Sequence, residues 1–151
     1  MLSMLNTVNS RENLNTRTVT KITTDAPVLT MAEHSGHIIM INHASAVTTM
    51  DLPAIADAVG MTLTIVMNLA LTADCVIDGQ ASNKIRNLDF NTSDTAANIG
   101  RFTAGRYLTY DESMGGSSDG NIGDYVQLFC DGSYWHATSF GQTARTWSAA
   151  D

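Results

Sequence analysis

The sequence has little charge, little cysteine and little proline for its length. Charged side chains make up 15% of the 151 residues, against about 25% in typical soluble domains. Thr, Ser, Asn and Gly fill the polar positions instead, which favours sheets and packed assemblies over a lone helical protein. The net charge is −7 and no basic stripe is present. The composition therefore argues against nucleic-acid binding.

The two cysteines, Cys75 and Cys130, are too few for a disulfide scaffold. Each lies in an apolar stretch just before a turn, which predicts buried free thiols. Residues 1–15 contain no continuous apolar run of the kind found in a signal peptide. No segment approaches the ~20 apolar residues of a membrane span. We therefore expect a cytosol-like compartment and no membrane contact.

Apolar residues make up 44% of the chain, enough for one domain to bury a core without metal or disulfide. Residues 1–25 lack the apolar density of a core and contain Arg11, Arg17 and Lys21 against two acidic residues. We interpret 1–25 as an extended N-terminal arm that crosses to a neighbouring molecule and could dock on an acidic partner. The alternatives are a frayed terminus and a chance distribution of charge. Residues 26–151 are predicted to form a β-sandwich domain.

Strict alternation of apolar and other residues over 61–71 predicts a half-buried strand, with Met61, Leu63, Ile65, Met67, Leu69 and Leu71 on one face. Pro53 and Gly60 bracket a predicted short helix over 53–59. Further short strands are predicted over 28–30, 37–42, 47–52, 75–77, 84–90, 99–103, 106–110, 124–130 and 133–140. Short strands with turns at regular spacing predict an all-β sandwich or jelly roll.

The pair Asp131-Gly132 lies between two β-rich runs and predicts a hairpin. A two-residue turn would pair Cys130 with Ser133 and Leu128 with Trp135. One face would then hold Val126, Leu128, Cys130, Trp135 and Ala137, and the other Tyr125, Phe129, Tyr134, Gln127, His136 and Thr138. Both faces carry large apolar groups, so the second needs cover from another sheet, a loop or another subunit.

No nucleophile elbow, P-loop, dinucleotide fingerprint or zinc spacing occurs. Cys130 and His136 could form a thiol–base pair, but the predicted hairpin projects them from opposite faces. His34, His37 and His43 could hold a metal, against the alternative of turn and surface histidines. We therefore expect no enzyme activity, no metal and no cofactor.

Two further binding hypotheses depend on polar loops and aromatic residues. Oxygen ligands in the 111–124 loop, namely Asp111, Glu112, Asp119, Asn121 and Asp124, could bind calcium, although their spacing does not match an EF-hand. Tyr125, Tyr134, Trp135 and Trp147 could stack against a sugar. The alternatives are a solvated loop and aromatics that belong to a core or an interface.

The run 123–135 (GDYVQLFCDGSYW) resembles the G-D-x-V-x-L-x-x-D-G-x-x-W hairpin of tailed-bacteriophage virion proteins. Residues 35–41 and 50–53 resemble the strands that precede it there, and Gly60 with the alternating strand also fits. The resemblance covers roughly residues 26–140. The hairpin occurs both in capsid decoration (cement) proteins and in tail-fibre or tail-spike modules. The small size and the lack of a long shaft favour decoration.

The resemblance implies a structural protein that binds the outer surface of a phage capsid and bridges neighbouring copies of the major capsid protein. It would be made in the host bacterial cytoplasm and would form a homo-oligomer, with a trimer favoured. No catalytic residue comes with the resemblance. The candidate interface residues are Arg11, Arg17, Lys21, Tyr125, Phe129, Tyr134 and Trp147. The alternative is a tail or fibre module that attaches to a host-surface glycan.

Overall fold

The computed structural model describes residues 17–42, 48–69, 73–81, 84–93, 96–110, 122–141 and 145–148. Within these ranges the protein is all-β, as predicted, with eleven strands, one short α-helix and one 3₁₀ helix. The strands are β1 (Val19–Ile22), β2 (Ile38–Ile41), β3 (Thr48–Asp51), β4 (Thr62–Met67), β5 (Cys75–Asp78), β6 (Ile85–Ser93), β7 (Ala96–Gly105), β8 (Tyr107–Tyr110), β9 (Tyr125–Cys130), β10 (Trp135–Gly141) and β11 (Arg145–Ser148).

The strands form two sheets. The larger sheet has seven strands in the order β1-β2-β4-β9-β10-β6-β7, and the smaller has four in the order β11-β8-β5-β3. β1 and β2 are neighbours in the larger sheet, and from β2 to β5 the chain alternates between the two sheets. Each return places a strand parallel to the previous strand of that sheet. A parallel bridge from Val28 to Asp51 extends this pattern in the smaller sheet. The first half of the chain therefore builds both sheets from successive parallel strands. The predicted sandwich or jelly roll did not include this arrangement.

The core lies between the two sheets and explains the alternation in the sequence. Leu63, Ile65 and Met67 of β4 are buried in one hydrophobic cluster with Ile77 and Leu108 of the smaller sheet. Removing such a side chain from water contributes on the order of 1.5–3 kcal/mol. The predicted inward face of 61–71 is confirmed as far as Met67, where β4 ends. Leu69 is 38% exposed.

Two predictions near the start of the chain need correction. Residues 19–22, assigned to the extended arm, form β1 and pair with β2, so they belong to the body. The rest of the predicted arm, up to residue 16, lies outside the described residues. The predicted helix over 53–59 is a single 3₁₀ turn, Ile55–Asp57. A helix that was not predicted, α1 (Met31–His34), begins where the Thr30 side chain accepts the Glu33 N–H.

The hairpin is present, but its predicted register is wrong by two residues. Cys130 pairs with Trp135 and Leu128 pairs with Ala137. The loop is longer than two residues because one oxygen of the Asp131 carboxylate accepts the N–H groups of Ser133 and Tyr134, each at 2.7 Å. Because side chains alternate with a period of two, this shift leaves every residue on its predicted face.

Candidate functional site

The outer face of the larger sheet, which points away from the core, carries a row of large apolar side chains. Strand register places these side by side on five neighbouring strands: Phe90, Phe140, Tyr125, Val66 and Met40. Phe140 stacks on Phe90 and on Tyr125, with ring centroids 4.8 Å apart in each pair. We call this set the aromatic row. It leaves a broad apolar strip on a sheet face that no other described sheet covers.

A shallow groove of about 360 Å³ runs beside the aromatic row. Thr64 and Gln127, which are paired across β4 and β9, lie in its floor with Thr138. Phe129 forms one side and is 45% exposed. At one end the Arg17 guanidinium donates to the Thr64 hydroxyl at 3.2 Å. The groove therefore offers hydroxyl and amide groups next to an exposed aromatic ring.

The same face is cationic although the chain as a whole is acidic. Arg17, Lys21, Lys84 and Arg86 lie on it, which is four of the eight lysines and arginines in the chain. The Arg86 guanidinium lies 3.4 Å from the centre of the Tyr134 ring, and the Lys84 ammonium lies 5.7 Å from it. Among the described side chains of this face, Asp131 is the one carboxylate.

Asp131 is bound within the hairpin itself. Its second oxygen lies 2.7 Å from Nε2 of His136. The hydrogen bond with His136, followed by those from the Tyr134 and Ser133 N–H groups, lowers the pKa of Asp131 from 3.8 to about 2. The carboxylate is therefore ionised at neutral pH. By accepting the Tyr134 N–H it also fixes the loop that presents the Tyr134 ring to Arg86.

The thiol–histidine pair that the sequence offered is separated, as predicted. Cys130 is buried, and its sulfur lies 3.7 Å from the Ile55 carbonyl oxygen, whereas His136 lies on the outer face. Both cysteines are free and buried, as predicted. Burial raises the pKa of Cys130 and raises that of Cys75 to about 12. Neither thiol is therefore a thiolate at neutral pH, the form that acts as a nucleophile.

The histidines and the proposed calcium loop add no site within the described residues. The His34 and His37 rings are 6.1 Å apart. His34 Nδ1 accepts the Thr30 N–H, and His37 Nδ1 lies 3.0 Å from the Thr20 hydroxyl. No group of three or more metal-ligating side chains occurs in the described ranges. His43, Asp111, Glu112, Asp119 and Asn121 lie outside them, and Asp124 is buried.

The structure brings most of the predicted interface residues together. Arg17, Lys21, Tyr125, Phe129 and Tyr134 all lie on or beside the outer face. Arg11 lies outside the described residues. Trp147 lies on β11 of the smaller sheet, opposite Leu108 of β8, and so apart from the other predicted interface residues.

Sequence reasoning missed part of the face. Arg86 and Phe90 lie there because β6 pairs in parallel with β10, although the two strands are far apart in sequence. Alternation of Arg86, Leu88 and Phe90 along β6 was a signal for a shared side, but no local pattern shows which strand lies next to β6. Trp135, included in the sugar-stacking hypothesis, is fully buried and cannot take part.

In the described ranges, no helix is long and apolar enough to span a membrane. No family model, curated protein or solved structure matches this chain. The fold and the outer face of the larger sheet define the class of this chain. It is an all-β, two-sheet protein whose larger sheet carries aromatic and cationic side chains on its outer face.

Proposed function

We propose that this chain is a structural protein of a tailed-phage virion that binds the outer surface of the capsid and bridges neighbouring copies of the major capsid protein. The observation that carries the proposal is the outer face of the larger sheet. A sheet face that carries a row of half-buried apolar side chains and the exposed Phe129 ring, and that no other described sheet covers, is typical of an interaction surface. Aromatic residues and arginine are also the residue types that concentrate in protein interfaces.

The proposed mechanism is mechanical. Packed DNA presses outward on the shell, and a bridging protein adds contacts that must break before neighbouring capsid subunits separate. A standard interface buries about 1,600 Å² in total, and repetition over many sites on one particle multiplies the effect. The burial of both thiols and the separation of Cys130 from His136 support a role without catalysis.

The test is binding of the purified protein to particles of its phage that lack it, measured by co-sedimentation. Phe129→Ser should lower occupancy because it removes an exposed aromatic ring from the face. Val28→Ser is the matched control, since Val28 is 64% exposed but bridges to β3 in the smaller sheet. Failure of the unaltered protein to bind particles, or equal losses in both variants, would contradict the proposal.

The N-terminal arm and the trimer are separate parts of the proposal. Because β1 belongs to the body, the arm is best tested by deleting residues 1–16, which leaves β1 in place. If the shortened chain binds particles as well as the full chain does, the arm does not contribute to attachment. Analytical ultracentrifugation of the full chain tests the proposed homotrimer.

The groove favours a second candidate, a tail or fibre module that binds a host-surface glycan. Hydroxyl and amide groups beside an exposed ring, as in Thr64, Gln127 and Phe129, suit a sugar that is apolar on one face and polar at its edges. Binding of host-derived glycans, lost in Gln127→Ala and accompanied by no binding to capsids, would favour this function over decoration.

A further inference from the structure

The Arg86 guanidinium lies over an aromatic ring on the outer face. Its guanidinium carbon lies 3.4 Å from the centre of the Tyr134 ring, within the range of a close cation–π contact. The side chain is exposed on β6, and the described part of the chain supplies no carboxylate to it. Stacking covers one face of the guanidinium and leaves its in-plane N–H groups as donors.

The same protein contains a completed version of this arrangement. Arg106 lies 4.7 Å from the centre of the Tyr107 ring. Its guanidinium donates two hydrogen bonds to the two oxygens of Asp78, each at 3.0 Å. A planar guanidinium held on a ring and donating through its edge matches the geometry of a carboxylate. Arg86 has the ring without the carboxylate.

We propose that Arg86, held on Tyr134, is a recognition point for an aspartate or glutamate side chain of the partner protein. The inference rests on the proposed function for the identity of that partner, the capsid protein. Charge complementarity supports it, because Lys84 lies over the same ring and the one described carboxylate of the face, Asp131, is already bound to His136. A stacked arginine carries more than charge: it fixes the direction from which the carboxylate approaches.

Protein carboxylates fit this face better than a nucleic-acid backbone. Nucleic-acid binding requires many cations along one track. Here Arg17 and Lys21 lie beside β1 and β2, whereas Lys84 and Arg86 lie beside β10, and the threonines, Gln127 and the aromatic row lie between them. Two cationic ends with an uncharged centre are suited to separate acidic side chains on a protein surface.

The inference can be tested without the capsid. Binding of a short polyglutamate peptide at low ionic strength is measured by NMR titration for the unaltered chain and for three variants. Arg86→Gln should weaken binding by about tenfold or more, the range of a hydrogen bond to a charged group. Arg86→Lys should also weaken binding, because lysine keeps the charge but loses the planar donors. Arg145→Gln, which removes an equal charge from β11 of the smaller sheet, should change affinity by no more than about twofold.

Several outcomes would overturn the inference. The first is no peptide binding by the unaltered chain. The second is an equal loss in Arg86→Gln and Arg145→Gln, which would indicate general attraction to any cation of the chain. The third is full binding by Arg86→Lys. Stronger, Arg86-dependent binding of a heparin oligosaccharide would assign the site to a sulfated glycan instead.

Particle binding separates this inference from the proposed function. If Phe129→Ser loses occupancy on particles while Arg86→Gln keeps it, decoration stands and the carboxylate inference fails. If the unaltered chain does not bind particles but binds polyglutamate through Arg86, the carboxylate site stands and decoration fails.

Discussion

The outer faces of the two sheets each carry an arginine over a tyrosine ring, but the two arginines differ in whether a carboxylate binds them. On the smaller sheet, Arg106 stacks on Tyr107 and is neutralised by Asp78 of the neighbouring strand. On the larger sheet, Arg86 stacks on Tyr134 and receives no carboxylate from the described residues. The comparison separates an arginine whose charge is satisfied inside the fold from one to which the described residues supply no carboxylate.

The rest of each face follows the same division. Beside Asp78, the outer row of the smaller sheet is Thr49, Val76 and Thr109, all β-branched and compact. The corresponding strip of the larger sheet is the aromatic row, whose side chains are larger. Loss of the Asp78–Arg106 pair on the smaller face should therefore affect folding, whereas substitution of Phe129 or Arg86, which are exposed on the larger face, should leave folding nearly unchanged.

The largest effect should come from Asp78→Ala. Asp78 is only 6% exposed, holds the Arg106 guanidinium and accepts the Gln80 N–H at 2.7 Å. Breaking a buried pair costs roughly 3–5 kcal/mol, and since Arg106 is partly exposed we expect about 2–3 kcal/mol of lost stability. Urea denaturation at neutral pH measures it. If Asp78→Ala lowers the unfolding free energy no more than a surface substitution does, the Asp78–Arg106 pair is not a structural part of the smaller sheet.

Gly79→Ala tests the strand end that presents Asp78. A Cβ at this position would lie 2.9 Å from Cγ1 of Ile85 and 3.2 Å from the Arg106 carbonyl oxygen. Overpacking of this kind costs about 1–3 kcal/mol, and we expect about 2 kcal/mol from urea denaturation. The added methyl group should cost clearly less in an Ile85→Ala background, where one of its two contacts is gone. An equal cost in both backgrounds would contradict the clash as its cause.

A smaller effect is expected from Phe140→Ala on the larger face. Phe140 stacks between Phe90 and Tyr125, and removal of such a ring pair costs about 0.5–1.5 kcal/mol beyond the lost apolar area. Thr109→Ala, in the outer row of the smaller sheet, is the matched control and should cost less than about 0.5 kcal/mol. Near-equal losses in thermal or urea unfolding would show that the aromatic row contributes nothing to the free fold.

Part of this architecture could be predicted from the sequence. Alternation fixes which side chains of β4, β9 and β10 point inward, because the period of a strand is two. The register of the hairpin could not be predicted in the same way. It depends on whether the Asp131 carboxylate or a backbone carbonyl accepts the loop N–H groups, and the dipeptide Asp131-Gly132 is compatible with both.

The parallel strand pairs and half of the outer face of the larger sheet could not be predicted from the sequence for a different reason. Parallel neighbours such as β6 and β10 are joined by long connections, so no turn signal marks them. Residues 19–22 are predicted to belong to an arm because residues 1–25 have few apolar positions, and in the structure β1 buries only Ile22 of its four residues. Tyr125, Phe129 and Tyr134 were found because they belong to the hairpin, whereas Arg86 needed the long-range pairing.

A pH effect is expected for the turn that presents Tyr134. The folded pKa of Asp131, about 2, lies below its ordinary 3.8, so the ionised carboxylate stabilises the fold at higher pH. That contribution is complete above pH 3.8 and is lost as the pH falls towards 2. Asp131→Asn keeps an oxygen acceptor but cannot ionise. The difference in unfolding free energy between the two proteins should therefore shrink over this pH range, and a constant difference would show that ionisation of Asp131 is irrelevant to the turn.

The smallest change in stability should come from Arg86→Gln. Its comparison with Arg106→Gln tests whether the two stacked arginines have different roles. Arg86 is exposed and makes no ion pair with a described residue, so its loss should alter the unfolding free energy by less than about 0.5 kcal/mol. Arg106→Gln removes the same charge from the same kind of ring but leaves Asp78 buried without its cation. It should therefore lower the unfolding free energy clearly more than Arg86→Gln does in the same urea titration. If both variants lose similar stability, Arg86 is a structural residue and its contact with Tyr134 serves the fold. If only Arg106→Gln does, the stacked arginine of the larger sheet is available for a partner.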